Sequence, residues 1–154
     1  MHDRLIGPFF FMERTITGNI YLDMLEQYVF PQLDQIEEEN NVQLLFQQDG
    51  APPHFSLQVR ARLNDKFPDR WIGRAAPIPW PPRSPDLTPL YVFVWGYVNN
   101  IVYSEKIRDL QHLRHRITSA DATITPDMIQ RTWGEIDYRL DVCRTTNGTH
   151  IETY

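Results

Sequence analysis

The stretch Gln47-Gln48-Asp49-Gly50-Ala51-Pro52-Pro53-His54 decides how this chain is read. It is entered from Val42 to Gln48, where Leu44, Leu45 and Phe46 make a nearly continuous apolar run. Such a run predicts a strand covered on both faces. Asp49 falls at its end, and Gly50 lets the chain turn sharply away. Asp-Gly is a common turn dipeptide whose aspartate usually bonds its own backbone, so the pair alone is a weak functional signal. A carboxylate at the end of a stiff strand is nonetheless well placed to act on a ligand.

Outward from this corner the pattern is strand, helix, strand, helix, strand, loop and helices, an α/β arrangement. Leu5 to Met12 reads as a buried strand. Thr17 or Asn19 can cap the next helix, whose apolar face carries Tyr21, Leu25, Tyr28, Val29 and Ile36. Pro31 is expected to kink or restart it. Glu37-Glu38-Glu39 and Asn40-Asn41 mark a solvated end and turn. Ser56 to Phe67 reads as a helix with Leu57, Val59 and Leu63 toward the core, and Trp71 to Arg74 as a third short strand. Pro77, Pro79, Pro81, Pro82, Pro85 and Pro89 then impose an extended loop. Leu90 to about Val102 is apolar almost all round and predicts a buried helix. Two further helices are expected over Glu105–Ile117 and from Pro126 to about Arg139.

The 154 residues suit one domain, and 42% apolar with 12% aromatic residues suffices for a core. The single cysteine, Cys143, cannot form an internal disulfide and suggests a reducing compartment. No segment resembles a secretory signal or a membrane span, so an intracellular protein is expected. The net charge of −5 argues against wrapping DNA, but the charge is uneven. Residues 1–50 hold two basic against nine acidic side chains. Residues 60–83 hold Arg60, Arg62, Lys66, Arg70, Arg74 and Arg83 against Asp65 and Asp69. A local basic stripe attracts phosphate, although a solvated helix face is its commoner meaning. His112 and His115 lie at helical spacing without an evident third metal ligand. Trp80 and Trp95 read as core or loop anchors rather than stacking platforms.

A second stretch, Trp80-Pro81-Pro82-Arg83-Ser84-Pro85-Asp86-Leu87-Thr88-Pro89-Leu90-Tyr91, follows the first in a telling order. Gln48 to His54 resembles the motif around the middle acid of mariner-like transposases, and Trp80 to Pro89 resembles the motif before their third acid. The resemblance extends less sharply over residues 7–20 and 96–151. It implies a ribonuclease-H-like fold, with Mg²⁺ or Mn²⁺ serving DNA cleavage and strand transfer. Two hard cations about 4 Å apart, held by converging carboxylates, would then activate the attacking oxygen and stabilise the leaving one.

Several features depart from the family pattern. Asp49 matches the middle acid, but Tyr91 stands at the third, and a neutral phenol is a poor ligand for a hard cation. Asp86 is an alternative ligand, although a turn role in Ser84-Pro85-Asp86 is several times commoner. Asp3 sits in no matching motif. The expectation is therefore a single partial catalytic domain over residues 1–154. It would lack the first two strands, the first acid and the helix-turn-helix region, and carry extra C-terminal helices. Asp49 is the retained catalytic and metal residue, with productive metal binding not expected. His54, Arg60, Arg62 and Arg83 are the nucleic-acid candidates, Arg83 foremost.

Four functions remain open at this point. One is a non-catalytic, nuclear transposase remnant with weak DNA affinity. Another is an interaction module that pairs with itself or with a full-length transposase, since an apolar sheet edge invites a neighbour. The others are a nuclease using Asp49 and Asp86, and a decayed reading frame.

Overall fold

A computed structural model describes residues 4–79, Thr88 and 93–146. They fall into two compact units, one of residues 11–79 and the other of residues 4–10, 88 and 93–146. Asp49 lies in the first. Helix α1 (Gly18–Met24) starts where Thr17 Oγ1 accepts the amide of Ile20. A π-helical turn (Leu25–Val29) leads directly into α2 (Phe30–Asn40), with Pro31 in the first turn of α2. The restart expected at Pro31 takes this form: the wider turn accommodates a residue with no amide to donate. Asn41 closes α2 in the left-handed conformation at φ 50°.

Strands β1 (Phe46–Gln47), β2 (Trp71–Gly73) and β3 (Ile78–Pro79) form a parallel sheet in the order β1-β2-β3. Phe46 pairs with Trp71 and Ile72 with Ile78. Helix α3 (Leu57–Lys66) makes the crossover between the parallel strands β1 and β2. Between β2 and β3 the chain folds back through a tight link, with Ala76 N donating to Gly73 O and Ala75 at φ 56°. Pro79 is tolerated because β3 is an edge strand among the described residues.

The core of this unit lies between the helices, β1 and β2, while both residues of β3 are exposed. Phe46 stacks on Phe67 with centroids 5.3 Å apart, and Phe30 meets both rings edge-on. Val59, Leu63 and Trp71 are fully buried, each such side chain contributing about 1.5–3 kcal/mol. Trp71 Nε1 donates to Asn64 Oδ1 at 2.8 Å, so the indole is buried without an unsatisfied donor.

In the second unit α4 (Trp95–Val102) packs against α5 (Leu110–Asp121), and α6 (Pro126–Thr145) follows. Asp109 caps α5 by accepting the amide of His112, and Thr125 caps α6 ahead of Pro126. Arg116 ties the α4–α5 connection through Glu105, Ser104 Oγ and the carbonyl of Ile101.

Some expectations do not hold. Leu5–Met12 forms no strand: Gly7 takes φ 139°, Pro8 has no amide to donate, and no described strand pairs with the segment. Only the end of Val42–Gln48 is a strand, with Val42 and Leu45 exposed. Leu57 points outward from the first turn of α3. α5 begins at Leu110 rather than Glu105, because Asp109 is the better cap. α4 exposes Trp95 and buries Val102, so it is half-covered rather than enclosed. α6 runs six residues beyond Arg139, to Thr145.

Candidate nucleic-acid interface around Asp49

β1 delivers Asp49 to a corner facing the entrance of α3. Gln48 N donates to Ile72 O, holding the backbone to β2 up to the residue before Asp49. Asp49 Oδ1 then accepts the amide of Ala51 at 3.0 Å. This is the local bond an Asp-Gly turn favours, so the commoner meaning of the dipeptide is physically present. The same oxygen lies 2.6 Å from His54 Nδ1. The approach lies off hydrogen-bonding alignment, making it a close ionic contact when the imidazole is protonated.

His54 is held from two further sides. Its ring stacks on Tyr21 at a centroid distance of 4.0 Å, and its carbonyl accepts from Gln48 Nε2 at 3.0 Å. Tyr21 Oη donates to Gln48 Oε1 at 3.2 Å, so buried Gln48 satisfies both ends of its amide, one within the motif and the other on α1. Burial, reinforced by the nearby Asp49 carboxylate, holds the Tyr21 phenol above its ordinary titration range. Sequence reasoning placed Tyr21 on an apolar helix face and missed its bond to the motif. Its spacing from Gln48 gives no local signal.

The basic stripe divides sharply. Arg62 pairs with Glu26 at 2.6 Å, Lys66 with Asp34 at 2.5 Å and Arg70 with Glu37 at 3.1 Å. These three basic groups stitch α3 and the turn after it to the acidic helical segment before β1. Arg60 is two residues from Arg62 on α3, a spacing that turns the side chains to different faces. Arg60 Nε donates to Phe55 O at 3.2 Å, and its guanidinium lies 4.5 Å from the Phe55 ring centre. Arg74, exposed beyond β2, reaches the same ring at 4.2 Å. Sequence analysis counted Arg74 within the stripe but did not single it out, because its approach to Phe55 is tertiary.

Arg83, Asp86 and Tyr91 lie outside the described residues. Among the described residues no three His, Cys, Asp or Glu side chains converge as a metal site would need. Mg²⁺ and Mn²⁺ favour several oxygen donors, whereas this corner offers a carboxylate engaged with its own turn and an imidazole. The described residues alone do not fit a divalent-metal centre. His112 contacts Glu105 at 3.5 Å and accepts the amide of Arg108, consistent with a local structural role.

No family model matches the chain, and no curated protein does. Solved structures do. The chain is similar to the Mos1 transposase catalytic domain determined with raltegravir and Mg, and to the same domain with raltegravir and Mn. Each comparison has a TM-score of 0.74 and 18% identity, covering 90% of this chain and 67% of the other. It is also similar to the Mos1 strand transfer complex, with a TM-score of 0.65 and 18% identity, covering 90% of this chain and 38% of the other. The small parallel sheet and its helices thus have the fold of a mariner transposase catalytic domain, the ribonuclease-H-like architecture expected from the two motifs.

Proposed function

We propose that this chain is a mariner transposase derivative that retains affinity for nucleic acid without cutting it. Its ancestral reaction would be metal-dependent DNA cleavage and strand transfer, and its place of action the nucleus. The observation that carries the proposal is the corner at the end of β1. There the motif Gln48–His54 is folded into one network, with the Asp49 carboxylate engaged by Ala51 N and His54. The transposase-like fold supports the lineage. Tyr91 at the third-acid position supports loss of the reaction, since a neutral phenol contributes little to holding a hard cation.

Incubating the full chain with supercoiled plasmid in Mg²⁺ or Mn²⁺, beside a binding assay at low salt, tests this function. Binding without nicking is expected. Metal-dependent nicking that disappears in Asp49→Ala would establish a working nuclease instead.

A second function is favoured by one feature of the sheet. β1 is an edge in the strand order, with β2 as its described neighbour. A partner strand from a second copy or a full-length transposase would satisfy that edge. An unfolding midpoint that rises with protein concentration would support association, and an invariant midpoint would exclude self-pairing as a requirement for folding.

A further inference from the structure

We infer that Arg60, Phe55 and Arg74 form a phosphate clamp beside Asp49, taking phosphate oxygens of a nucleic-acid backbone. The inference deepens the binding function proposed above and rests on it for the identity of the ligand.

Three observations converge on this site. First, the basic residues between 60 and 74 are not equivalent. Arg62, Lys66 and Arg70 are each neutralised by a carboxylate on the helical segment before β1. Arg60 and Arg74 meet no carboxylate among the described residues. Second, both guanidinium carbons lie within 4.5 Å of one ring centre, so the two charges stand less than twice that distance apart. Phe55 attracts both through its π-face and holds them together although they repel each other. An anion that accepts from the terminal nitrogens of both would relieve that repulsion.

Third, the two arginines are positioned in advance. Arg60 Nε is occupied by Phe55 O, which fixes the side chain and leaves its terminal nitrogens to donate. Arg74 sits between Gly73, where Trp71 and Gln48 O crowd the backbone, and Ala75 in the left-handed conformation. Its stem lies along Gly50: a Cβ there would stand 3.4 Å from Arg74 Cδ. The clamp therefore adjoins the residue that follows Asp49. A guanidinium offers paired donors that match phosphate oxygens, and little ordering entropy remains to be lost on binding.

The test uses fluorescence anisotropy of the full chain with a labelled DNA duplex over a range of salt, and inorganic phosphate as a separate probe. Arg74→Ala and Arg60→Ala are each expected to weaken DNA binding about tenfold and to flatten the salt dependence by about one unit of slope. Arg62→Ala, which removes the pair with Glu26 and the approach to the Phe30 ring, is expected to leave both quantities unchanged. Arg74 is exposed, so its replacement leaves the fold intact, and an unchanged urea midpoint checks this.

If the wild-type chain binds DNA but Arg74→Ala and Arg60→Ala bind equally well, the clamp is refuted while the DNA-binding function stands. Equal weakening by Arg62→Ala would also refute it, by showing a diffuse charge effect. If the chain takes inorganic phosphate through Arg74 but binds no DNA, the clamp stands and the nucleic-acid function fails. Binding of neither probe at low salt would overturn both.

Discussion

Gly18 opens α1 at the point where α1 meets the entrance of α3, and its replacement by alanine tests the packing that positions the His54 corner. A Cβ at Gly18 would stand 2.4 Å from Ser56 Oγ and 2.5 Å from Ser56 Cβ, with Pro53 O at 3.5 Å. Two effects oppose each other. Alanine is favoured over glycine within a helix by up to about 1 kcal/mol, and by less in the first turn. Overpacking of this kind costs about 1–3 kcal/mol, and Ser56 Cβ cannot rotate out of the way. The overlap wins, with a net loss of about 1–2 kcal/mol. For a urea slope near 1–2 kcal/mol/M the midpoint falls by about 1 M. Among the described residues Ser56 Oγ has no hydrogen-bond partner, and it gives α3 no side-chain cap bond, so Ser56→Gly should cost only a few tenths of a kcal/mol. The double variant Gly18→Ala/Ser56→Gly should therefore regain most of the loss, with a coupling of at least about 1 kcal/mol. A Gly18→Ala protein as stable as wild type, or additive losses in the double variant, would refute the close α1–α3 contact.

Two further outcomes follow from side chains in separate parts of the fold. Tyr21→Phe removes the donor to buried Gln48 Oε1 and should destabilise the chain by about 1–2 kcal/mol in urea unfolding; no loss would mean that this bond does not hold the motif together. Asp121, at the end of α5, has its carboxyl raised above the ordinary range by partial burial. Its folded form therefore binds the proton more tightly than the unfolded chain, and stability falls as pH rises from the ordinary carboxylate range through the raised value. Asp121→Asn should flatten that part of the profile of midpoint against pH, and an unchanged profile would reject the assignment.

Much of the first unit was legible because its signals are local. Thr17 and Pro31 bracket the start of α1 and the restart into α2, and Asn40-Asn41 marks the stop. Val59 and Leu63 fall at helical spacing on the buried face of α3, whereas Leu57 shares the apolar chemistry but lies on the other side. The two motifs point to the transposase fold from sequence alone, and the comparison with Mos1 agrees. What could not be read is tertiary. Whether Leu5–Met12 forms a strand depends on a neighbour to pair with, which a hydrophobic run cannot reveal. Which arginines of the stripe are neutralised depends on the acids of the preceding helical segment, more than thirty residues away in sequence. Phe55 carries no motif signal of its own, and only the fold brings Arg60 and Arg74 to one ring.

The central claim is a chain that still recognises the phosphodiester backbone. The salt dependence of its affinity for duplex DNA tests this most directly. Two phosphate contacts, from Arg60 and Arg74, predict that log K falls linearly with log salt at a slope of about −2. No detectable binding at low salt, or an affinity that does not change with salt, would contradict the claim.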